Sequence, residues 1–223
     1  MTKRKDKALV VFSGGQDSTT CLYWAMRRFG PENVSAVTFD YGHRHKIEIQ
    51  SAQRIARLAG IPHQILSIST FRELGGSSLT SALAVSHRRG RRGLPNTFVP
   101  GRNLIFLTFA AAYAYPAGIR HLVAGVCQAD VAGYPDCRRN TIRALEKSLC
   151  LGMDFPFRIH TPLIRLSKPD TVRLAVRLQA LPALALSHTC YNGKRPPCGK
   201  CMACRLRADA FAEAGIPDPL LSR

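Results

Sequence analysis

Acidic side chains are scarce in this sequence: 14 Asp and Glu stand against 32 Lys and Arg, which gives a formal net charge of +18. This balance favours anionic ligands or nucleic acid, although net charge describes steering rather than function. Long apolar runs are also missing, since no stretch approaches the roughly 20 residues that a membrane span needs. The basic residues 1–7 are followed by an apolar run too short for a secretory signal peptide. We therefore expect a cytoplasmic protein without a membrane partner.

Two widespread phosphate-binding patterns are absent as well. The sequence contains neither the Walker pattern GxxxxGK(S/T) nor a GxGxxG fingerprint. We also find no internal repeat and no flexible interdomain linker. At this length the natural expectation is one α/β domain over residues 1–223, with a C-terminal subregion at residues 186–215.

Residues 8–22 form the most informative stretch. A short apolar run ends at a glycine-rich turn, SGGQDS, and an apolar-periodic segment follows at once, which predicts strand, tight loop and helix. Gly14 and Gly15 let the backbone approach a ligand, and the first N–H groups of a helix attract phosphate. A plainer interpretation is a chain reversal in which Asp17 or Ser18 is only the helix N-cap. The full string resembles the PP-loop, SGGxDS, of ATP pyrophosphatase-type enzymes.

Alternating strand and helix patterns follow this stretch. The sequence predicts further strands at residues 34–40, 63–68, 121–126 and 158–163, and helices at residues 46–59, 104–115 and 168–178. A turn at residues 133–138 opens another predicted helix that ends near residue 149. This alternation predicts an α/β fold with a doubly wound, mostly parallel sheet. Ligands of such sheets lie at the carboxyl ends of the strands, where the first loop and residues 40–45 both fall.

The periodicity fails between residues 69 and 100, which predicts a long loop that is either functional or disordered. Its arginine-rich run, residues 86–92, is typical of a solvated segment, with RNA binding as an alternative. Residues 96–103 then introduce an apolar helix. Arg102 lies where that helix begins, a position that favours anions, and its planar guanidinium can clamp a phosphate or carboxylate.

Four of the eight cysteines fall close together near the C-terminus: Cys190, Cys198, Cys201 and Cys204. Without a signal peptide, a disulfide framework is not expected. A CxxC turn directs two thiolates to one centre, and four thiolates satisfy tetrahedral zinc. An iron–sulfur cluster and a CxxC redox pair are the alternatives. We interpret the cluster as one structural zinc site per chain, and the scattered Cys21, Cys127, Cys137 and Cys150 as buried packing thiols.

Taken in order, the motifs FSGGQDSTTCL, TFDYGHRH, NTFVPGRN, GYPDCR and CYNG…CGKCMAC resemble those of the 7-cyano-7-deazaguanine synthases, the nitrile-forming enzymes of queuosine precursor biosynthesis. The likeness extends from about residue 8 to residue 215. It implies an adenine nucleotide alpha hydrolase-like PP-loop fold with a small C-terminal zinc-binding cysteine knuckle. It also implies that 7-carboxy-7-deazaguanine, ammonia and ATP are the substrates. ATP adenylates the carboxylate, ammonia displaces AMP to give an amide, and a second ATP activates that amide for loss of its oxygen.

The resemblance implies roles for individual residues and a homodimer. ATP binding is assigned to Phe12, Ser13, Gly14, Gly15, Gln16, Asp17, Ser18, Thr19, Thr20, Cys21 and Leu22. The catalytic set is Ser13, Asp17, Arg102 and Lys168, in which Asp17 would position Mg²⁺ or water. Our hypothesis is that Arg102, Lys168 and Arg44 neutralise phosphate or substrate carboxylate. Substrate binding is assigned to Arg44, Asp130, Tyr134 and Asp136. The four clustered cysteines match the family's zinc ligands.

The sequence departs from the family pattern in three places. His43 stands where Gln is expected, Gln128 and Ala129 replace an acidic residue and Thr before Asp130, and residues 86–92 are unusually basic. The second departure puts the details of substrate recognition in question. Two other functions stay open: a PP-loop enzyme that modifies tRNA directly by thiolation or lysidine-type ligation, and a zinc-ribbon nucleic-acid-binding module. The missing appended RNA-binding domain argues against the first and the intact SGGQDS against the second, so nucleic acid is not expected as a partner.

Overall fold

A parallel five-stranded sheet forms the centre of the computed structural model, which describes residues 6–42, 46–74, 77–80, 93–127 and 134–221. The strands are β1 (Ala8–Val11), β2 (Val34–Asp40), β3 (His63–Ser67), β4 (His121–Ala124) and β5 (Arg158–His160). Their order is β3-β2-β1-β4-β5, and every neighbouring pair is parallel. The predicted doubly wound parallel sheet is therefore confirmed.

Helices cover both faces of this sheet. In the described ranges they are α1 (Gln16–Phe29), α2 (Ile47–Ala59), α3 (Thr70–Leu74), α4 (Arg102–Ala114), α5 (Arg139–Gly152), α6 (Lys168–Arg177), α7 (Leu181–Leu184) and α8 (Met202–Ala214). Short 3₁₀ turns occupy Pro31–Asn33 and Pro135–Cys137. None of the described helices combines the length and the apolar character that a membrane crossing requires.

The side chains of the central strands divide between two apolar cores. On β1, Leu9 points into a core that includes Leu107 of α4 and Leu149 of α5. Val10 points the opposite way, into a core that includes Leu22 of α1 and Ile55 of α2. Successive residues of a strand face opposite sides, so both faces of the sheet are covered and the central strand β1 is apolar throughout.

Two predicted strands end earlier in the structure. β4 stops at Ala124 because the next residue, Gly125, packs against α1, where an added Cβ would lie 2.9 Å from the Ser18 backbone nitrogen. β5 stops at His160, two residues before Pro162, which has no N–H to donate to a sheet.

Three helices were missed by the sequence analysis, one of which is the four-residue α7 that follows α6. α3 is a single short helix inside the segment predicted to be a loop, and α8 begins directly after Cys201 of the cysteine cluster. The predicted residues Arg44 and Asp130, the departures His43, Gln128 and Ala129, and the arginine-rich segment 86–92 all lie outside the described residues.

Candidate active site

The SGGQDS loop joins the carboxyl end of β1 to the start of α1. Gly14 has φ +76°, and a Cβ there would lie 2.5 Å from the Ala52 backbone nitrogen and 2.8 Å from the Glu48 carbonyl oxygen of α2. Both the left-handed backbone and the close approach therefore require glycine at this position. The loop is pressed directly against the first two turns of α2.

The hydroxyl groups of Ser13 and Ser18 fix the conformation of the loop through hydrogen bonds. The Oγ atoms of Ser13 and Ser18 are 3.0 Å apart, the Ser13 N–H donates to Ser18 Oγ at 3.2 Å, and the Gly15 N–H donates to Ser13 Oγ at 3.3 Å. The N-cap of α1 is Gly15, and no side chain caps this helix. Asp17 and Ser18 are thus not N-caps, and the positive end of α1 is left to face the cavity.

Asp17 and Lys168, both predicted to be catalytic, lie in contact across the site. Lys168 Nζ is 2.7 Å from Asp17 Oδ2, and both side chains are mostly buried. Lys168 is the first residue of α6, a helix whose N-cap Ser167 accepts a hydrogen bond from the Asp170 N–H at 3.3 Å. The cap fixes the start of α6 and so positions the lysine over α1.

Arg102 opens α4 on the other side of the loop. Its Nη1 lies 3.5 Å from the Tyr41 hydroxyl, and its guanidinium carbon is 5.9 Å from the centre of the Tyr41 ring. The next residue, Asn103, donates its backbone N–H to Asp136 Oδ2 at 3.0 Å. A carboxylate therefore holds the beginning of α4 and fixes the backbone from which Arg102 extends.

Of the predicted substrate-binding residues, Tyr134 and Asp136 can be placed. Tyr134 lines the cavity, its hydroxyl lies 2.9 Å from Thr97 Oγ1, and its ring stacks on Phe98 with a centroid separation of 5.6 Å. Asp136 is buried at the start of α4 and is not among the residues that line the cavity. A substrate contact for either residue stays a prediction.

A cavity of about 350 Å³ lies at the carboxyl ends of the strands, and most of these groups line it. This volume falls within the range of small-molecule sites. The PP-loop, α4 and the C-terminal segment all contribute to its wall. The lining includes Ser13, Asp17, Ser18, Arg102, Tyr134, Lys168, Thr189, Tyr191, Met202 and Ala203.

The four clustered cysteines converge on one point, as predicted. Their Sγ atoms all lie within 4.8 Å of one another, with Cys201 and Cys204 at 3.4 Å and Cys198 and Cys204 at 3.9 Å. Tetrahedral zinc with Zn–S bonds of about 2.3 Å places its sulfurs about 3.8 Å apart, so the donor set fits a metal ion. The Cys201 N–H also donates to Cys198 Sγ at 3.4 Å, as expected around thiolates.

The cysteine knuckle, residues 190–204, is tied to the PP-loop through His188. The His188 N–H donates to the Gly14 carbonyl at 2.9 Å, and its Nε2 lies 3.0 Å from the Cys190 carbonyl oxygen. Residues of the knuckle also line the cavity, so the cluster and the phosphate loop belong to one structural unit.

Two charged residues of this region were missed by the sequence analysis. Arg207 of α8 is buried and forms a paired contact with Asp218 at 2.7 and 2.8 Å. Glu48, in the first turn of α2, lines the cavity, and burial raises the pKa of its carboxyl to about 7 although the nearby Arg102 lowers it. The only sequence signal for Glu48 is its position just after the TFDYGHRH turn, at the carboxyl end of a strand.

Comparison with known proteins identifies close relatives. The family model of queuosine biosynthesis protein QueC matches residues 7–215. The chain is 62% identical to a 7-cyano-7-deazaguanine synthase of Chromobacterium violaceum over 98% of its own length and 94% of that protein. It is 61% identical to the same enzyme of Laribacter hongkongensis, over 98% and 95% of the two chains.

Solved structures share the fold at low identity. A predicted subunit of a tRNA methyltransferase from Methanocaldococcus jannaschii aligns with a TM-score of 0.52 and 18% identity over 77% of this chain and 74% of that one. Structural similarity at this level of identity supports the α/β architecture and carries no information about substrate.

Proposed function

The chain belongs to the family of queuosine biosynthesis protein QueC, and we propose that it converts 7-carboxy-7-deazaguanine, ammonia and ATP into 7-cyano-7-deazaguanine. The observation that carries this proposal is the shared cavity. The SGGQDS loop, Arg102 and Lys168 line one space whose volume suits a small molecule. Activation of a carboxylate by ATP needs such an arrangement, because the nucleotide phosphate and the substrate carboxylate are both negatively charged. Positively charged groups must hold them next to each other.

The protein's contribution to adenylation is orientation and charge stabilisation. The uncapped start of α1 and the loop N–H groups hold the ATP phosphates, and the Arg102 guanidinium and Lys168 ammonium balance the negative charge that develops. A carboxylate oxygen leaves readily once it is bound to AMP, so no covalent protein nucleophile is required. The same groups serve the second adenylation, at the amide oxygen.

Mg²⁺ is assigned to Asp17. The Asp17 carboxylate lies beside the loop hydroxyls, and hard oxygen donors of this kind suit the ion. Bound Mg²⁺ would supply charge neutralisation on the phosphates. Asp17 is paired with Lys168 in this structure, so we propose that Lys168 transfers its contact to a phosphate when nucleotide binds.

Zinc is assigned to the cysteine cluster in a structural role. Cys190, Cys198, Cys201 and Cys204 supply four sulfurs with none left over among the described residues of the knuckle, which supports a closed tetrahedral site. Metal analysis of the purified protein tests this assignment: one zinc per chain supports it, and iron with inorganic sulfide contradicts it.

Recognition of the deazaguanine is assigned to Tyr134, Asp136, Arg44 and Asp130. Tyr134 has the best structural support, since it lines the cavity within reach of Thr97. Asp136 accepts a hydrogen bond from the Asn103 N–H at the start of α4, and Arg44 and Asp130 lie outside the described residues.

Further proposals concern the whole chain. We propose that residues 1–223 form one domain with the C-terminal subregion at residues 186–215 as an integral part, which the His188 contact to Gly14 supports. We also propose a cytoplasmic homodimer. The exposed aromatic side chains Phe109 and Tyr113 on α4 and the adjacent Tyr115 offer an apolar surface for the second copy. Light scattering of the purified protein measures this directly, and a monomer at micromolar concentration would contradict it.

A turnover assay tests the function. Purified protein is incubated with Mg·ATP, an ammonium salt and 7-carboxy-7-deazaguanine, and the products are identified by mass spectrometry. We expect nitrile, AMP and pyrophosphate, and no nitrile when ammonium is omitted. Unchanged substrate would contradict the proposal and direct the assay to tRNA as acceptor.

A further inference from the structure

Glu48 is a cavity-lining carboxyl group to which the mechanism above gives no role. It lies in the first turn of α2, directly behind the PP-loop, since a Cβ on Gly14 would lie 2.8 Å from its carbonyl oxygen. Within the described residues no hydrogen bond or salt bridge satisfies its carboxylate. A partly buried acid without such a partner is destabilising when it is ionised, and such groups occur where a site needs them.

The groups around Glu48 come from several elements. Arg102 of α4 is close enough for its charge to act on the carboxyl, and the buried Tyr41 hydroxyl follows β2. On its own helix, Lys46 is an exposed neighbour, and residues 43–45 before it lie outside the described ranges.

Seven further titratable residues line the cavity, namely Asp17, Lys168, His188, Arg207, Tyr134, Tyr191 and Cys137. Asp17 and Lys168 neutralise each other, and the His188 ring contacts the Cys190 carbonyl oxygen. Among the described side chains of this wall, Glu48 is therefore the carboxyl group that is available to exchange a proton.

We propose that the Glu48 carboxylate is the general base that takes a proton from the incoming nitrogen, an inference that rests on the proposed function. Ammonium transfers one proton to Glu48, and the lone pair of the resulting ammonia forms a C–N bond to the acyl-adenylate carbon. The C–O bond to AMP breaks and leaves its electron pair on the AMP oxygen. The amide nitrogen loses its surplus proton to the departing AMP phosphate.

The proton affinity of the group suits this task. Burial raises the pKa of Glu48 to about 7, and the nearby Arg102 keeps it from rising further. A general base is most effective when its pKa lies near the working pH, because it is then both ionised and basic. An ordinary exposed glutamate is ionised at neutral pH but is a much weaker base.

The test separates adenylation from attack by nitrogen in the zinc-loaded protein. Carboxylate-dependent ATP–pyrophosphate exchange measures adenylation alone, and hydroxylamine, which is largely unprotonated at neutral pH, traps the acyl-adenylate as a hydroxamate. We expect Glu48→Gln to retain both activities within about 3-fold and to lose about 100- to 10,000-fold in ammonium-dependent turnover, the range typical of general bases. Glu48→Asp should recover part of the loss, and Glu73→Gln, at an exposed acid of α3, should match the unmodified protein.

The pH profile supplies a second readout. At saturating ammonium the turnover of the unmodified protein should fall below about pH 7 as Glu48 becomes protonated, and Glu48→Gln should lack this limb. Ammonium-dependent turnover that survives in Glu48→Gln overturns the proposal. So does a folded variant that loses pyrophosphate exchange, which would assign Glu48 to ATP or Mg²⁺ binding. If the unmodified protein forms no nitrile, the proposed function fails before Glu48 is tested.

Discussion

At the residue scale, the Asp17–Lys168 contact joins two side chains that are 151 positions apart in the sequence. We predict that Asp17→Asn lowers ATP-dependent turnover by roughly 100-fold, because the loss of one electrostatic group in an active site costs about 100- to 1,000-fold. Initial rates at varied Mg·ATP measure this effect.

The matched control for this substitution is Asp170→Asn near the start of α6. Asp170 pairs with Arg173 at 2.8 Å, and about half of each side chain is exposed. Asp170 Oδ2 also accepts a hydrogen bond from the Ser167 hydroxyl at 2.6 Å, and the amide oxygen of Asn can keep this bond, so the start of α6 should be preserved. Exposed pairs contribute little, so this variant should keep turnover within about 2-fold. Full activity in Asp17→Asn would eliminate the proposed metal-positioning role.

The raised pKa of Glu48 also leads to a prediction about how the stability of the protein depends on pH. Its pKa is about 7 in the folded protein against an ordinary value of 4.5, so the unfolded chain ionises first as the pH rises. The native state is then destabilised progressively between about pH 4.5 and pH 7, by up to roughly 3 kcal/mol above that range. Glu48→Gln carries no such penalty. Its thermal midpoint should exceed that of the unmodified protein at pH 8 and match it at about pH 4, where the carboxyl is largely protonated in both states. Equal midpoints at both values would show that the carboxyl is not destabilised by burial.

At the element scale, the sequence identifies helices and strands wherever a local pattern decides them. The apolar run and glycine-rich turn of residues 8–22 place β1, the loop and α1 correctly, since each signal lies within a few residues. α3 has only five residues, too few to show a periodicity. α8 begins directly after Cys201, where the cysteine spacing is a stronger sequence signal than the helical pattern.

The contacts of the site are harder to predict than its elements. The cysteine cluster is predictable because its ligands are close in sequence. Arg102 and Tyr41 are in contact although they are 61 positions apart in the sequence. Glu48, on a third element, lines the same cavity. Contacts between residues so far apart in the sequence depend on how the helices pack on the sheet, which no local sequence pattern encodes.

A buried ion pair joins α8 to the segment that follows it. Arg207 contacts Asp218 through two nitrogens and also donates to Ser187 Oγ at 2.7 Å. Removing one partner of a buried pair leaves an uncompensated charge and costs about 3 to 5 kcal/mol. We predict a loss of this size for Asp218→Ala in urea unfolding. Arg173→Ala, which breaks the exposed pair, should cost less than about 1 kcal/mol, and similar losses in the two variants would contradict this account.

At the scale of the whole molecule, the cysteine knuckle forms part of the cavity wall. Tyr191 and Met202 of the knuckle line the same space as the PP-loop, and His188 connects the two through the Gly14 carbonyl. We therefore expect order in the knuckle to support order in the PP-loop.

Metal removal tests this connection. A bound metal ion joins the four cysteines through its bonds to sulfur, so chelation should loosen residues 190–204 and, through His188, the PP-loop. We expect the chelated protein to show a lower thermal midpoint and weaker ATP binding together, and both to return when Zn²⁺ is restored. Cys204→Ser should reproduce the chelated state without any chelator. Unchanged ATP affinity in a metal-free, folded protein would show that the knuckle is independent of the phosphate loop, whereas a parallel loss makes zinc a structural requirement for nucleotide binding.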